Sequence, residues 1–373
     1  METENQAPRM LDHMPVRVPV DGTFELTVRC NLHCRMCLFR HDDSENRALM
    51  EKELTAAQWI DLARQAAEMG TLNLLITGGE PMLRPDFREI WEGIYKLGFI
   101  LQLYTNATLV TPEIMETLKK YPPHRIGVTI YGSSSEVYRK VTGSGKAFLQ
   151  MCEGVKQLMT LPSAFQFRST IIKDNYEDID GIERLVSEEF HYSGIVEEPR
   201  SVFPAVRGGT SEACEARLSP EDNVKLIFRR GIDRLRKKVG ADKFAINRIA
   251  VKATPKKERR PVTEQTQYTL LGCDAGMKSF AVSWDGKLLG CQTLGIFWTD
   301  ALHNGLKKAW RDFPLAVRLP EGCEKCRGCK IAEYCETCWA SRVAETGTLD
   351  GWPEYQCSDA HEIAKIIKRG KLI

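Results

Sequence analysis

The chain has 373 residues, 43% of them hydrophobic and 27% charged, with a formal net charge of +2. That length exceeds one compact domain, and so small a charge gives no basis for a nucleic-acid or acidic-membrane partner. No apolar run approaches the roughly 18 residues that span a bilayer, and the N-terminal METENQAPRMLDHM lacks the basic-then-apolar order of a signal peptide. The expected setting is cytoplasmic, where clustered thiols serve as metal ligands or reactive groups more often than as disulfides. The 13 cysteines gather towards the two ends, with only Cys152 and Cys214 between Cys37 and Cys273.

Residues 1–22 read as a polar lead-in. Residues 24–28 (FELTV) form the first expected strand, which delivers Cys30-Asn-Leu-His-Cys34-Arg-Met-Cys37. Thr55 is placed to cap a helix in which Trp59, Ile60, Leu62 and Ala63 recur at helical spacing. Strands at 72–76, 100–104, 126–130, 165–172 and 194–196 then alternate with helices at 84–97, 112–120, 147–159 and 178–189. About six such units predict a parallel sheet built from crossovers, short of the eight that close a barrel. The expected fold is therefore α/β, a partial (β/α)6 TIM-like barrel over residues 23–215 with its chemistry at the strand C-terminal ends. Residues 216–262 read as a bridging amphipathic helix followed by an exposed basic linker at 252–262, whose charge suits a solvated surface better than a partner site. Residues 263–373 carry eight cysteines among Gly-rich turns and a hairpin-like stretch at 280–288. They read as a small domain in which metal ligands substitute for a large core.

Three thiolates on one short loop can converge on one face of a cubane iron–sulfur cluster. With three local ligands, one iron keeps an open position, as catalytic metal sites do. A zinc knuckle is the competing reading, but no fourth cysteine lies nearby and His33 falls inside the loop. After the second strand comes Gly78-Gly79-Glu80-Pro81. Its glycines admit close backbone approach to a ligand, and a carboxylate suits an ammonium group. Alone, the same four residues would be a turn with Pro opening a helix.

The C-x3-C-x2-C loop followed by GGEP resembles the radical S-adenosylmethionine superfamily, and the resemblance runs in order through residues 22–210. It implies an oxidoreductase in which Cys30, Cys34 and Cys37 hold a 4Fe-4S cluster whose open iron binds S-adenosylmethionine through its amino and carboxylate groups. One electron would then give methionine and a 5′-deoxyadenosyl radical, which takes a hydrogen atom from substrate. Cofactor contacts are implied at Gly78, Gly79, Glu80 and Pro81. Asn106 is implied as well, within a Thr-Asn-Ala-Thr segment where the family usually has Gly at Ala107. Thr129-Ile-Tyr131-Gly132-Ser133, with Tyr138, Thr142-Gly143 and Phe148 downstream, resembles a Y-G…T-G…F segment of peptide-maturing members, a plain turn being the alternative for Gly132. Arg168 and Thr170 would reach the cofactor's carboxylate and ribose. Glu197 and Glu198 fall near the expected substrate position, with plain surface carboxylates as the alternative.

The C-terminal cysteines resemble the SPASM extension, the auxiliary iron–sulfur domain of peptide-modifying radical enzymes. Cys273, Gly286-x4-Cys291, Cys326-x2-Cys329-x5-Cys335 and Cys357 fit its order. Cys338 follows Cys335 after two residues where three are usual, and TQYTLL stands where some members place a further cysteine. The resemblance implies one auxiliary cluster on Cys326, Cys329, Cys335 and Cys357. It implies a second on Cys273, Cys291 and Cys338, with either Cys323 or an open iron completing it. A zinc ribbon is the alternative, against which the two C-x2-C pairs lie only five residues apart. Cys152 reads as core, and Cys214 as either a hydrogen-atom donor to a substrate radical or an ordinary loop cysteine.

The function expected from this resemblance is maturation of a ribosomally made peptide by cross-linking, epimerisation or oxidation. The alternatives are a small-molecule dehydrogenase or cofactor-biosynthesis enzyme, a sulfatase-type maturase, and a zinc-bearing binding protein. Against the sulfatase type, Leu38 follows Cys37 where an aromatic is usual. Expected partners are the peptide, a flavodoxin- or ferredoxin-type electron donor and a separate leader-peptide recognition protein, since about 20 residues precede the first strand.

Overall fold

The structure, a computed structural model, describes residues 17–194, 196, 197, 202–239 and 269–369. The basic linker at 252–262 and Glu198 lie outside the described residues. Five strands form the parallel sheet: β1 (Asp21–Glu25), β2 (Asn73–Thr77), β3 (Ile100–Thr105), β4 (Arg125–Thr129) and β5 (Ala164–Arg168). They lie side by side in the order β5-β4-β3-β2-β1. The connecting helices are α1 (Ala56–Glu68), α2 (Phe87–Tyr95), α3 (Pro112–Lys120), α4 (Ser135–Thr142), α5 (Lys146–Leu158) and α6 (Ile179–Arg184). Thr55 caps α1 as its sequence implies: its hydroxyl accepts from the Gln58 N–H at 3.3 Å, and the Gln58 side chain accepts from the Thr55 N–H at 2.8 Å. The sequence reading missed α4, which starts at the Ser134 cap and buries Tyr138 and Val141 completely.

Strand alternation separates two faces. Phe24, Leu74, Ile76, Leu101, Leu103, Ile126, Val128 and Phe167 point to the helical layer and are buried, with the Phe24 ring 5.0 Å from that of Trp59. Their neighbours Thr23, Thr77, Gln102, Tyr104, Thr129, Gln166 and Arg168 face the concave side and stay half-buried. The period of two along each strand dictates this division.

The sheet departs from expectation at both edges. The sixth strand shrinks to a single parallel bridge, Arg168 with Glu197, made by Glu197 N–H to Phe167 O (2.9 Å) and Ser169 N–H to Glu197 O (2.8 Å). At the opposite edge β6 (Ser279–Val282) pairs in parallel with β1 from Asp21↔Ser279 to Phe24↔Val282. Antiparallel β7 (Lys287–Leu289) and β8 (Trp298–Asp300) follow, giving one eight-stranded sheet among the described residues. β6 and β7 are the hairpin expected at 280–288. Behind the barrel, α7 (Ala213–Ala216) precedes α8 (Pro220–Val239), the helix expected at 217–240. After a one-turn helix at Ala301–Asn304, the C-terminal part has three longer helices among the described residues: α9 (Leu306–Ala316), α10 (Trp339–Thr346) and α11 (Glu354–Arg369). Leu306, Ala309, Trp310 and Phe313 of α9 join the same apolar core as the barrel. Among the described residues no helix is long and apolar enough to cross a membrane.

Phe24→Ala should cost about 3–5 kcal/mol of unfolding free energy, because the ring is fully buried where β1 meets α1. Urea unfolding of the variant against the native chain reads this directly.

Candidate active site

The C-terminal ends of β1 to β5 open into a cleft of about 290 Å³. Cys30, Cys34, Cys37, Gly78, Gly79, Asn106, Thr129, Arg168 and Thr170 all line it. Tyr131 of the Y-G pair lines it too, as do Tyr104 and the 38–41 segment, which the sequence reading missed. Tyr104 was recoverable, since alternation along β3 puts it on the concave face, where it pairs with Gly127 of β4.

The cysteine loop is held from three sides. Its base is fixed by Glu53, which accepts two hydrogen bonds from Arg29 (2.9 and 2.8 Å), one from the Thr27 hydroxyl and one from Arg84. Its middle is hung on α4: His33 N–H donates to Thr142 O at 2.9 Å and Arg35 N–H to Val141 O at 3.0 Å. Arg35 then reaches Asp174 (2.5 Å) and Glu212 (2.7 Å). Around Cys30, the sulfur receives the Leu32 N–H at 3.4 Å and the Asn106 amide at 3.7 Å.

Burial, then the neighbouring Cys37, pushes the Cys34 thiol up to about 12. Burial followed by Cys34 and Glu80 raises Cys30 well above its ordinary value. Burial also raises Cys37. The Tyr131 hydroxyl lies within hydrogen-bond reach of Cys34. Without metal these thiols hold their protons; bound iron inverts that preference. Three thiols close enough to raise one another, with N–H donors aimed at one sulfur, are a donor set that fits a cubane cluster with one iron left open.

The GGEP segment corrects the sequence reading in one respect. Gly79 N–H donates to Thr27 O at 2.7 Å and Glu80 N–H to Arg29 O at 2.9 Å, so the segment lies flat against the start of the cysteine loop. A β-carbon on Gly78 would stand 2.4 Å from Thr27 O, and one on Gly79 would stand 2.2 Å from Arg29 O. Glu80, expected at the cofactor, is fully buried and turned away. Its carboxylate accepts from Met82 N–H (3.1 Å), the Thr105 hydroxyl (2.8 Å) and Asn106 N–H (2.8 Å). Burial pushes it up to about 7 against these three bonds. It positions the Thr105–Thr108 segment, and the two glycines provide the wall of the cleft. Pro81 is buried at the start of a short turn and stays out of the cleft. Ala107 has φ +59°, the left-handed geometry that glycine adopts without cost and that costs an L residue roughly 1–2 kcal/mol.

Two other expected site residues lie elsewhere. Ser133 gives its N–H (2.6 Å) and hydroxyl (2.5 Å) to Asp178 and does not reach the cleft. Cys214 is exposed on α7 and does not line the cleft, because the short helix turns its thiol to solvent. Glu197 accepts from Gln166 (2.6 Å), which accepts from the Tyr104 hydroxyl (3.0 Å), while the Arg168 guanidinium lies 4.9 Å from the Tyr104 ring centre.

At the C-terminal end all cysteines are free thiols. Burial raises Cys273, and Cys291 and Cys338 add to the rise from close by. Cys326 is pushed up to about 11 by burial, by a hydrogen bond with Cys323 and by Cys335. Cys323 therefore lies on the Cys326 side. Among the described residues no group of three or more His, Cys, Asp or Glu is gathered tightly enough to hold a single metal ion.

Residues 24–186 match the family model of the Radical SAM superfamily. Those residues are a radical SAM domain. Through that domain the chain is an S-adenosylmethionine-dependent iron–sulfur enzyme. It is similar to the AdoMet-dependent heme synthase of Methanosarcina barkeri (strain Fusaro / DSM 804), with 27% identity over 336 residues covering 87% of this chain and 92% of that protein. A protein of the same name from Oleidesulfovibrio alaskensis is 26% identical, over 87% of this chain and 84% of its own. In solved structures the radical SAM fold here resembles Streptococcus suis SuiB bound to S-adenosylmethionine (TM-score 0.65, 16% identity, 94% of this chain and 78% of that one). It also resembles anSMEcpe with bound AdoMet (TM-score 0.61, 15% identity, 94% and 99%).

Glu80→Gln should retain iron yet slow reductive cleavage of S-adenosylmethionine about tenfold, equivalent to ~1.4 kcal/mol. One amide nitrogen would then oppose the N–H groups that the carboxylate now receives. Iron analysis beside chromatographic assay of 5′-deoxyadenosine separates this from loss of the cluster.

Proposed function

We propose that this radical SAM enzyme abstracts hydrogen from a peptide, in the maturation of a ribosomally made precursor by cross-linking, epimerisation or oxidation. Cys30, Cys34 and Cys37 would hold an iron–sulfur cluster which, when reduced by an external one-electron donor, would supply reductive cleavage of S-adenosylmethionine and so hydrogen-atom abstraction. The chain's own part is positional. Gly78 and Gly79 admit the cofactor's methionyl end to their backbone, Asn106 orients Cys30, and Arg168 and Thr170 provide a cation and a hydroxyl on the far wall.

The observation that carries the peptide reading is the concave face of the sheet. Closed barrels fill those inward positions with bulky branched side chains. Here Thr23, Gln102, Tyr104, Gln166 and Arg168 occupy them, all half-buried, and Tyr104 and Arg168 also line the cleft. Hydroxyl, amide and guanidinium groups match the alternating donors and acceptors of a peptide backbone. SuiB, which shares the fold, has been solved bound to the precursor peptide SuiA. A second reading, a small-molecule enzyme of haem biosynthesis, is favoured by the relatives that share 26–27% identity over most of the chain.

For the auxiliary cysteines, the proposal assigns Cys326, Cys329, Cys335 and Cys357 to one cluster and Cys273, Cys291 and Cys338 to another. The fourth position of the second cluster goes either to Cys323, which lies beside Cys326 (Cys326 N–H to Cys323 O, 3.1 Å), or to an open iron. A flavodoxin- or ferredoxin-type protein delivers the electron, and a separate protein presents the leader.

Anaerobically reconstituted enzyme should contain about twelve irons, falling to about eight in a Cys30/Cys34/Cys37→Ala variant that no longer cleaves S-adenosylmethionine. Zinc in place of iron, or an unchanged count, would refute the cluster assignment. Incubation with precursor peptides encoded beside the gene, and separately with haem precursors, decides the substrate by mass change. A change confined to the haem precursors would refute the peptide reading.

A further inference from the structure

Outside the cleft, the least expected arrangement is a buried charge pair between parts of the chain far apart in sequence. Glu25, the last residue of β1, is almost fully buried. Both its oxygens accept from the Arg207 guanidinium, at 2.6 and 2.7 Å, and one also accepts the Gln292 side-chain amide at 2.8 Å. Gln292 follows Cys291 directly. The guanidinium carbon lies over the Phe39 ring, 4.1 Å from its centre, and Phe39 lines the cleft.

The backbone is shaped to allow this. Arg207 has φ +55°, in the left-handed region that a non-glycine residue enters only under constraint. Flanking hydrogen bonds, Val206 N–H to Leu38 O (2.8 Å) and Thr210 N–H to Arg40 O (2.7 Å), stitch the 206–210 turn to the tail of the cysteine loop. From the other direction Gly295 approaches so closely that a β-carbon would stand 2.5 Å from Cγ of Arg207. Arg207 Nε is buried without a partner. The side chain is thus oriented by its bidentate bond to Glu25 rather than by the greatest number of hydrogen bonds. Bidentate Arg–carboxylate geometry fixes direction as well as distance, and taking one partner away leaves a buried charge uncompensated.

We infer that Arg207 is a positioning residue that locks the Cys291–Gly295 loop to the Phe39 wall of the radical cleft, so that the auxiliary cysteine site and the N-terminal cluster site move as one body. Four segments meet at this one guanidinium: the end of β1, the 38–40 wall, the 206–210 turn and the 291–295 loop. β6 attaches the C-terminal part to β1 further down the strands. The clasp is what fixes the loop beside the cleft itself. The inference rests on the proposed role of Cys291 as an auxiliary-cluster ligand only for its consequence in catalysis; the mechanical coupling stands on the polypeptide alone.

Hydrogen exchange read by mass spectrometry tests it, on reconstituted enzyme with iron and sulfide counted in the same samples. In Arg207→Met, peptides covering 36–41 and 291–297 should both exchange at least tenfold faster, while those covering β1 and β6 keep their protection. Arg207→Lys, which keeps the charge but not the bidentate fork, should fall between. Faster exchange confined to 205–210, or equal exchange in Lys and Met variants, would overturn the inference. Should Arg207→Met not fold, Gln292→Ala removes the loop's side of the clasp, and faster exchange at 291–297 is again the supporting result and unchanged exchange the overturning one. An iron count showing no auxiliary cluster would fault that separate assignment while leaving the exchange comparison intact.

Discussion

Between the Thr27–Arg29 backbone and the Gly78-Gly79 turn there is no room for a side chain. The carbonyl oxygens of Thr27 and Arg29 stand where two β-carbons would be. That contact brings the end of β2 against the start of the cysteine loop, and the rest of the site is arranged around it. Glu80 then falls beneath the sheet, where its carboxylate holds the Thr105–Thr108 segment, and Asn106 in turn reaches Cys30. Three loops from three strand ends become one rigid wall through a chain of short bonds.

Buried charge does much of the remaining alignment. Glu53 accepts from Arg29, Thr27 and Arg84, while Arg84 also donates to the Leu26 and Leu54 carbonyls (2.9 and 2.8 Å) and to Asp86. Such clusters add little net stability over well-packed apolar groups, because desolvation offsets their attraction. They do restrict geometry, since each carboxylate oxygen and guanidinium N–H must find its partner or remain unpaired at a cost of about 1–3 kcal/mol. Fixed geometry is what a site handling a reactive radical requires, because a misplaced substrate atom diverts the chemistry.

Much of the barrel was legible because its signals are local. The Thr55 cap, the apolar repeats of α1 and α2 and the cysteine spacing each act within a few residues. What stayed hidden depended on distant partners. The β1–β6 pairing joins residues more than two hundred positions apart, and nothing in SFAV at 279–282 identifies its neighbour. Glu80 was misassigned because a carboxylate beside a ligand-binding turn looks available until the three N–H and O–H groups around it are located. Motif position suggests Ser133, and nearness to the expected sixth strand suggests Cys214; the direction of each is set by Asp178 and by the short helix at 213–216. α9 to α11 were obscured by the cysteine-rich turns around them.

The parallel pairing of β1 with β6 also bears on how the chain comes off the ribosome. β1 acquires one neighbour, β2, within the next fifty or so residues, but its other edge waits for residues 279–282. At synthesis rates of roughly 5–20 residues per second that edge stays unpaired for on the order of ten to fifty seconds. An open strand edge is a template for pairing with another chain. The nascent barrel is thus exposed to misassembly until the hairpin that begins at residue 279 closes the sheet along β1.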